Sequence, residues 1–127
     1  MPIRIACIKP SGIPTVLSLW YVNIDDKIYC ATQKTARIIT YLKNNPACSF
    51  EIAGDYPPYK GIRGDGTAVI LDEKGESVLL ALIDKYLGKK ESNLSNFLKK
   101  NSKTEVAIQI NPKKIHNYDY SKRMKGI

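Results

Sequence analysis

Histidine is nearly absent from this chain of 127 residues, in which His116 is the only one. A histidine-rich metal site is therefore excluded, and a catalytic triad or cysteine–histidine pair is disfavoured because both need an imidazole base. The three cysteines, Cys7, Cys30 and Cys48, lie far apart in apolar runs without the close spacing of a metal or redox motif. We expect reduced core cysteines, no metal, and chemistry supplied by a cofactor.

Long apolar runs are also lacking. No segment approaches the roughly 20 apolar residues of a membrane span, and the first twelve residues lack the apolar core of a signal peptide. The sequence thus predicts a cytoplasmic protein with no membrane partner. A hydrophobic content of 43% and a charged content of 25% are typical of a globular protein, so we expect a single domain over residues 1–127.

Acidic residues become scarce towards the C-terminus. Residues 1–84 contain nine Lys or Arg and nine Asp or Glu, whereas residues 85–127 contain eleven and three. The whole net charge of +8 therefore lies in the last third, which ends in a basic tail, residues 113–127. Such charge can attract nucleic acid or an acidic partner, but without interleaved aromatic side chains it is more often a solvated surface. Nucleic-acid binding stays open and is not favoured.

Hydrophobic alternation and turn signals predict six strands: Ile3–Lys9, Thr15–Val22, Lys27–Thr32, Ala47–Ala53, Tyr59–Leu71 and Glu105–Ile110. Residues 12–32 are expected to form a hairpin, and Thr15–Val22, apolar on both faces, to be covered on both sides. Glycines within Tyr59–Leu71 indicate β-bulges or the close approach of another backbone. Pro112 is expected to end the last strand.

Three helices are predicted among these strands. The first covers Thr35–Asn44 and is stopped by Pro46, and the third covers Ser92–Lys100. The second begins at Gly75, ends at Gly88 and carries an apolar stripe at helical spacing, formed by Val78, Leu79, Leu82, Ile83, Tyr86 and Leu87. Leu94, Phe97 and Leu98 are expected to anchor the third helix. The first connections are too short for parallel crossovers, so the pattern predicts a mainly β fold, an antiparallel barrel with helical cover.

A basic turn, residues 32–37, separates an apolar strand from the first helix. Cations at a helix N-terminus, here Lys34 and Arg37, oppose the macrodipole and cost about 0.3 to 1 kcal/mol each. With the unpaired N–H groups of the helix they would form an anion site, and a phosphate is the usual ligand of such a site. A solvated loop with two ordinary surface cations is the alternative.

The order of these motifs resembles the FMN-binding split-barrel family related to pyridoxamine 5'-phosphate oxidase. The resemblance covers nearly the whole chain and is carried by Gly12-Ile13-Pro14, Leu19-Trp20, Ala31-Thr32, Arg37, Leu42, Asn45-Pro46, residues 59–66 and residues 112–118. It implies a six-stranded antiparallel split β-barrel of Greek-key type with a few flanking helices. It also implies a homodimer with FMN at the subunit interface, acting as an oxidoreductase on a small molecule by hydride or electron transfer.

The resemblance first places residues beside the flavin ring. Ser18, Leu19 and Trp20 match the strand whose backbone runs along the isoalloxazine, and Ala31 and Thr32 match the paired strand end. Apolar walls together with backbone N–H and C=O groups from strand ends are what such a ring requires. No catalytic side chain is implied, because the cofactor carries the chemistry.

The remaining cofactor positions concern the phosphate and the second subunit. Gln33 and Lys34 lead towards the phosphate, and Arg37 matches the arginine that binds it. Tyr59 matches a polar residue that contacts the flavin, and Tyr118 matches an aromatic residue of the second subunit that closes the pocket.

Two departures from the family pattern bear on the cofactor and the substrate. The family often has a lysine directly after its phosphate-binding arginine, but this chain has Ile38, so Lys34 would supply the second cation. The C-terminal segment NYDYSKRMKGI lacks the Arg-rich, histidine-containing substrate motif, so pyridoxamine phosphate is not the predicted substrate. Two other functions remain open: a deazaflavin enzyme of the same fold, whose cofactor has an acidic extension suited to the basic tail, and a non-enzymatic nucleic-acid-binding or interaction protein that uses residues 85–127.

Overall fold

The computed structural model describes residues 1–126, which form seven strands and three helices. The strands are β1 (Ile3–Ile8), β2 (Pro14–Leu19), β3 (Val22–Ile24), β4 (Lys27–Gln33), β5 (Ala47–Ala53), β6 (Lys60–Leu71) and β7 (Glu105–Asp119), and the helices are α1 (Arg37–Asn44), α2 (Gly75–Leu87) and α3 (Asn93–Lys100). Short 3-10 turns, Asp72–Lys74 and Ser102–Thr104, precede α2 and β7. Within residues 1–126 no helix has the length and apolar character needed to cross a membrane.

All seven strands belong to one sheet in the order β2-β1-β5-β6-β7-β4-β3, and every neighbouring pair is antiparallel. The expected mainly β, antiparallel fold with a few helices is confirmed. The expected strand number is wrong, because the sheet has seven strands rather than six and is open between its edges β2 and β3. Only Trp20 and Tyr21 connect these two edges, so the sheet curls until its edges lie within about 11 Å at this corner.

The seventh strand arises because the expected strand Thr15–Val22 breaks after Leu19. Both backbone groups of Tyr21 are bound by side chains of α2: its N–H donates to Tyr86 Oη at 3.3 Å, and its carbonyl accepts from Lys85 Nζ at 2.6 Å. A residue held in this way has no groups left for a strand ladder. The chain therefore leaves one edge of the sheet and enters the other.

The expected hairpin over residues 12–32 is confirmed at its turn, between Val22–Ile24 and Lys27–Gln33, but the pairing expected for the earlier part of its first strand is wrong. β2 pairs with β1, while β3 pairs with β4 across a tight turn at Asp25 and Asp26, whose φ angles of 52° and 63° are those of a hairpin turn. The outward-facing Val16 of β2 is 66% exposed. In a single chain this strand is thus covered on one face only, contrary to expectation.

β7 extends far beyond Pro112, which does not end it. The register of β6 and β7 shifts between Asp65, which faces Lys114, and Gly66, which faces Pro112, so Lys113 is the extra residue of a β-bulge. A proline has no N–H to donate and is tolerated at such an interruption of the ladder. The bulge therefore lies in β7 and not in the glycine-containing strand β6. The glycines of β6 instead allow the close approach of another backbone, which was the other expectation: a Cβ at Gly66 would lie 2.7 Å from the backbone oxygen of Asn111. The segment expected to be a tail is strand as far as Asp119. Residue 127, the last of the expected tail and domain, lies outside the described residues.

The sheet has a core on each face because successive residues of a strand point to opposite sides. On one face, Ile28 and Cys30 of β4 pack with α1, together with Ile3, Ile5, Cys7, Ile38, Ile39, Leu42, Cys48, Phe50, Ile52, Ala68, Val106, Ile108 and Ile110. On the other face, Tyr29 and Ala107 pack against Val78 and Leu82 of α2. The two helices thus hold opposite faces of the same strands, and α2 also fixes the corner between β2 and β3.

The helices follow the predicted pattern with two exceptions. α2 buries the predicted stripe residues Val78, Leu79, Leu82 and Ile83 and ends before Gly88, whose φ is 73°. α1 begins at Arg37 rather than at Thr35, with Ala36 as an N-cap that has no side-chain hydrogen bond. In α3, Leu94 and Phe97 are 48% and 62% exposed, so neither anchors the helix as expected. The buried residue of α3 is Ser95, which also forms a capping box with Ser92.

All three cysteines are buried and free, as expected. Cys7 and Cys48 face each other across β1 and β5. Burial raises the pKa of Cys30 to about 12 and that of Cys48 to about 11. These thiols therefore behave as small apolar core groups.

The contact between α2 and β7 predicts a strong effect of one added methyl group. A Cβ at Gly75 would collide with the backbone oxygen of Glu105, whereas nothing lies within 4 Å of a Cβ at Gly54. Because the clash involves backbone rather than a flexible side chain, we expect Gly75→Ala to destabilise the protein by about 2 kcal/mol. Urea unfolding should show this loss, with Gly54→Ala within about 0.5 kcal/mol of the parent. Equal midpoints for the two variants would contradict the close packing.

Candidate functional site

Four residues expected along the flavin ring line one groove of about 340 Å³. Ser18 and Leu19 come from β2, Trp20 from the corner and Ala31 from β4. The other lining residues are Pro2, Leu79, Leu98 and Glu105. Apart from Ser18 and Glu105 the walls are apolar, which suits a planar aromatic ligand. We call this feature the ring groove.

An aromatic corner fixes one wall of the ring groove. The indole of Trp20 stacks on Tyr86 with ring centroids 4.9 Å apart and an interplanar angle of 6°. Tyr86 Oη donates to the carbonyl of Met1 at 2.7 Å, and Lys85 Nζ lies 3.5 Å from the ring centroid of Tyr21. Stacking, hydrogen bonding and a cation–π contact together hold Trp20 in place.

The basic turn carries two cations without carboxylate partners. Lys34 and Arg37 are exposed, and the only ion pair among residues 1–126 is Arg4–Asp55 at 2.8 Å. The Lys34 backbone N–H donates to the Thr104 carbonyl at 3.0 Å, which fixes the turn. Because α1 also lacks a side-chain cap, its N-terminus and these cations can bind an anion.

Gln33 and Thr32 are placed differently from their neighbours in the turn. The Gln33 amide donates to the Asn101 carbonyl at 3.1 Å and to the Glu105 carboxylate, and it accepts from Thr104 Oγ1. Both N–H groups of that amide are therefore used within the chain. Thr32 is half-buried and faces Val106 across β4 and β7.

Glu105 is a carboxylate of the ring groove that the sequence did not point to. It is 9% exposed, lines the ring groove and lies opposite Gln33 in the register of β4 and β7. Burial raises the pKa of its carboxyl, and the hydrogen bond from Gln33 partly offsets the rise. The available signal was a carboxylate at the start of the apolar run EVAIQI. Nothing in the sequence indicated that α2, α3 and β2 meet at that point.

The raised pKa predicts how Glu105 affects stability in the cofactor-free protein. The native state holds this proton more tightly than the unfolded chain, so the ionised form costs stability as the pH rises from about 4.5 through the native pKa. We therefore expect Glu105→Gln to raise the melting temperature at pH 8 relative to the parent, and by less at pH 4. Glu91→Gln, in the exposed loop before α3, should show no such dependence. An equal effect of Glu105→Gln at both pH values would contradict the assignment.

Tyr59 and Tyr118 line a different hollow, of about 350 Å³. Tyr118 Oη donates to Glu51 Oε2 at 2.7 Å, and the Arg63 guanidinium lies 5.5 Å from the Tyr118 ring centroid. Burial, followed by the Glu51 carboxylate, raises the pKa of Tyr118 to about 12. Tyr59 is 42% exposed. A single chain therefore brings four of the expected residues together in the ring groove and places these two elsewhere. We call this feature the tyrosine hollow.

Comparisons with known proteins bear on the fold. No family model matches the chain, and no curated protein matches it either. Among solved structures, the conserved protein Rv2991 from Mycobacterium tuberculosis matches with a TM-score of 0.80 and 23% identity, over 96% of this chain and 79% of that one. An F420 reductase matches with a TM-score of 0.76 and 19% identity, over 91% and 89%. A Listeria innocua protein named as a candidate pyridoxamine 5'-phosphate oxidase matches with a TM-score of 0.69 and 14% identity, over 91% and 86%.

These matches establish the fold, and they do not identify the ligand. Proteins named for pyridoxamine 5'-phosphate oxidase activity or for FAD binding recur among them, and a heme storage protein has the same fold. A fold that holds such different groups does not by itself determine the ligand. The chain shares the fold of the pyridoxamine 5'-phosphate oxidase-like split barrels, as the order of its motifs predicted.

Proposed function

We propose that this protein is a homodimeric FMN-dependent oxidoreductase that acts on a small molecule. The observation that carries the proposal is the ring groove, where Ser18, Leu19, Trp20 and Ala31 come together between two strand ends. Bound FMN would supply the redox chemistry by hydride or electron transfer. The protein would bind the ring, orient it and exclude water from it.

The residues of the site match the chemical parts of FMN. Leu19 and Trp20 offer apolar surface to the ring, and Lys34 and Arg37 offer unpaired cations to the phosphate. Lys34 lies three positions after Ala31, which is a distance of about 10 Å in an extended chain. That spacing suits a ligand with a ring at one end, an extended polyol and a phosphate at the other.

The homodimer is proposed because a single chain leaves the site in two parts. The ring groove and the tyrosine hollow have no lining residue in common. A two-fold partner could bring Tyr118 of one chain to the groove of the other, since a symmetric interface uses the same surface twice. Val16 and Ile115, 66% and 52% exposed on β2 and β7, provide apolar surface for such a contact.

Titration with FMN tests the proposal directly. We expect saturable quenching of flavin fluorescence with one FMN bound per chain, and sedimentation at the mass of a dimer. A protein that shows no saturable FMN binding would refute the cofactor assignment. A monomer at micromolar concentration that still binds FMN tightly would refute the interface part alone.

A deazaflavin is the second candidate cofactor. The similarity in fold to an F420 reductase favours it, and so does Ile38, which removes a cation from the usual FMN phosphate site. The lysines of residues 85–127 would suit an acidic extension of the cofactor. Titration with F420 under the same conditions discriminates between the two, because the true cofactor should bind at least tenfold more tightly.

A further inference from the structure

The ring groove contains one ionisable side chain, Glu105, at the first position of β7. Gln33, opposite it on β4, donates to Glu105 Oε2. The Gln33 amide is in turn held by the Asn101 carbonyl and by Thr104 Oγ1. The carboxyl group is thus fixed in position by a chain of hydrogen bonds rather than by a cation.

The second carboxyl oxygen is open to a ligand. No hydrogen bond within residues 1–126 reaches Glu105 Oε1, and no buried side-chain oxygen or nitrogen there lacks a partner. Oε1 is therefore in contact with solvent, which reaches it through the groove that Glu105 lines. A ring bound among Leu19, Trp20 and Leu98 would remove this water, and a carboxylate without water strongly favours its protonated form.

No salt bridge within residues 1–126 neutralises the Glu105 carboxyl group. The charged and titratable groups on the elements packed around it are Lys27 of β4 and Lys34 after it, Asp72, Glu73 and Lys74 before α2, Glu76, Asp84 and Lys85 of α2, Lys99 and Lys100 of α3, Lys103 before β7, Lys113, Lys114, His116 and Asp119 further along β7, and the α-amino group of Met1 beside Pro2, while β2 carries none. None of them pairs with Glu105 in the described chain. Glu76 instead accepts from Ser102, and Lys74 lies over the ring of Tyr29.

We propose that Glu105 is the proton-holding group of the ring groove: its carboxyl takes up one proton from solvent when a flavin ring binds and donates a hydrogen bond to a carbonyl oxygen or ring nitrogen. This role rests on the proposed function. It deepens that function by giving the groove a polar contact that a purely apolar pocket would lack, and it distinguishes carbonyl-bearing heterocycles from hydrocarbon rings of the same size. Gln33 acts as the positioning residue through its hydrogen bond to Oε2.

Calorimetric titration of the full-length protein with FMN at pH 7.5, in Tris and in Pipes, tests the role. Because these buffers differ in ionisation enthalpy, the two heats give the number of protons taken up on binding. We expect about one proton for the parent protein and none for Glu105→Gln. Between pH 7 and 9, where the FMN phosphate is already ionised, the affinity of the parent should fall by up to about tenfold per pH unit. Glu91→Gln is the matched control and should behave as the parent.

The outcomes separate this role from the cofactor assignment. If the parent and both variants bind FMN with the same proton count and the same pH dependence, Glu105 does not hold the proton. If none of them binds FMN, the cofactor assignment fails and this role fails with it. The proton count of the parent is also a test by itself, because about one proton at pH 7.5 supports the proposal and a count of zero contradicts it.

Discussion

Replacing Lys34 and Arg37 together with alanine should weaken FMN binding by about 100-fold or more while leaving riboflavin binding unchanged. A hydrogen bond to a charged group contributes about 1.5 to 3 kcal/mol, and each 1.4 kcal/mol corresponds to a factor of ten in affinity. Both side chains are exposed, so solvent and salt reduce the gain, and the lower end of the range applies. Riboflavin has the ring and the polyol but no phosphate, so it reports on the ring groove alone.

The same double variant should be slightly more stable than the parent protein. Neither cation has a carboxylate partner in the described chain, and both oppose the dipole of α1. Their removal should therefore add about 0.3 to 1 kcal/mol each to the free energy of unfolding. A loss of affinity that accompanies higher stability cannot be ascribed to unfolding. Fluorescence titration and urea unfolding on one preparation measure both quantities.

Lys43→Ala is the matched control, because Lys43 is an exposed cation at the opposite end of α1. Its loss should leave FMN affinity within about twofold of the parent. If Lys43→Ala weakened FMN as much as the double variant did, general electrostatic attraction rather than a phosphate site would explain the binding. Between the single variants, Arg37→Ala should cost more than Lys34→Ala, because a guanidinium can bind a phosphate through two parallel hydrogen bonds.

The local parts of the fold could be predicted from the sequence because they depend on neighbouring residues. The stripe of α2, its end at Gly88 and the close approach of neighbouring backbone to the glycines of β6 all follow from spacing and backbone preference. The break at Trp20 and Tyr21 could not be predicted in this way. It depends on Lys85 and Tyr86, which lie more than sixty positions away and bind the backbone of Tyr21.

Two other differences between the expected and the observed fold also depend on how the elements pack, at Pro112 and in α3. Pro112 is a reliable signal for the end of a regular strand, but here it lies next to Lys113, the extra residue of the bulge in β7, where the ladder with β6 is interrupted anyway. Leu94 and Phe97 were expected to be buried because large apolar residues usually are. The residue of α3 that packs inward is instead the small Ser95, 1% exposed, because the position of α3 on the fold turns Leu94 and Phe97 outward.

The residues of the candidate site differ in the same way in whether the sequence could predict them. Ser18, Leu19, Trp20 and Ala31 could be proposed from the sequence because a family resemblance assigns them, and the ring groove brings them together. Glu105 could not be proposed, because nothing within its own strand indicates that its carboxyl group lines that groove. A resemblance carries over only the positions that the family uses. A polar group outside those positions can be identified only from the structure, which shows how the elements pack around it.

The corner at Trp20 and Tyr21, which the sequence did not predict, gives the second large expected effect, a loss of stability. Tyr86→Ala should lower the free energy of unfolding by about 3 kcal/mol, the lower part of the range for removing a large aromatic side chain, because Tyr86 is half-buried. The variant loses the stack with Trp20 and the hydrogen bonds to Met1 and Tyr21. Tyr56→Ala, which removes a side chain that is 85% exposed, should change the stability by less than about 0.5 kcal/mol.

Tyr86→Phe separates the stack from the hydrogen bonds. It keeps the ring against Trp20 but leaves the Tyr21 N–H and the Met1 carbonyl without their hydroxyl partner, so we expect a loss of about 1 to 2 kcal/mol. Riboflavin affinity should follow the position of Trp20: nearly unchanged in Tyr86→Phe and reduced about tenfold or more in Tyr86→Ala. If Tyr86→Ala lowered stability without changing riboflavin affinity, Trp20 would belong to the barrel core alone. A parallel loss of stability and of riboflavin affinity would mean that Tyr86, which holds the corner, also shapes the ring groove.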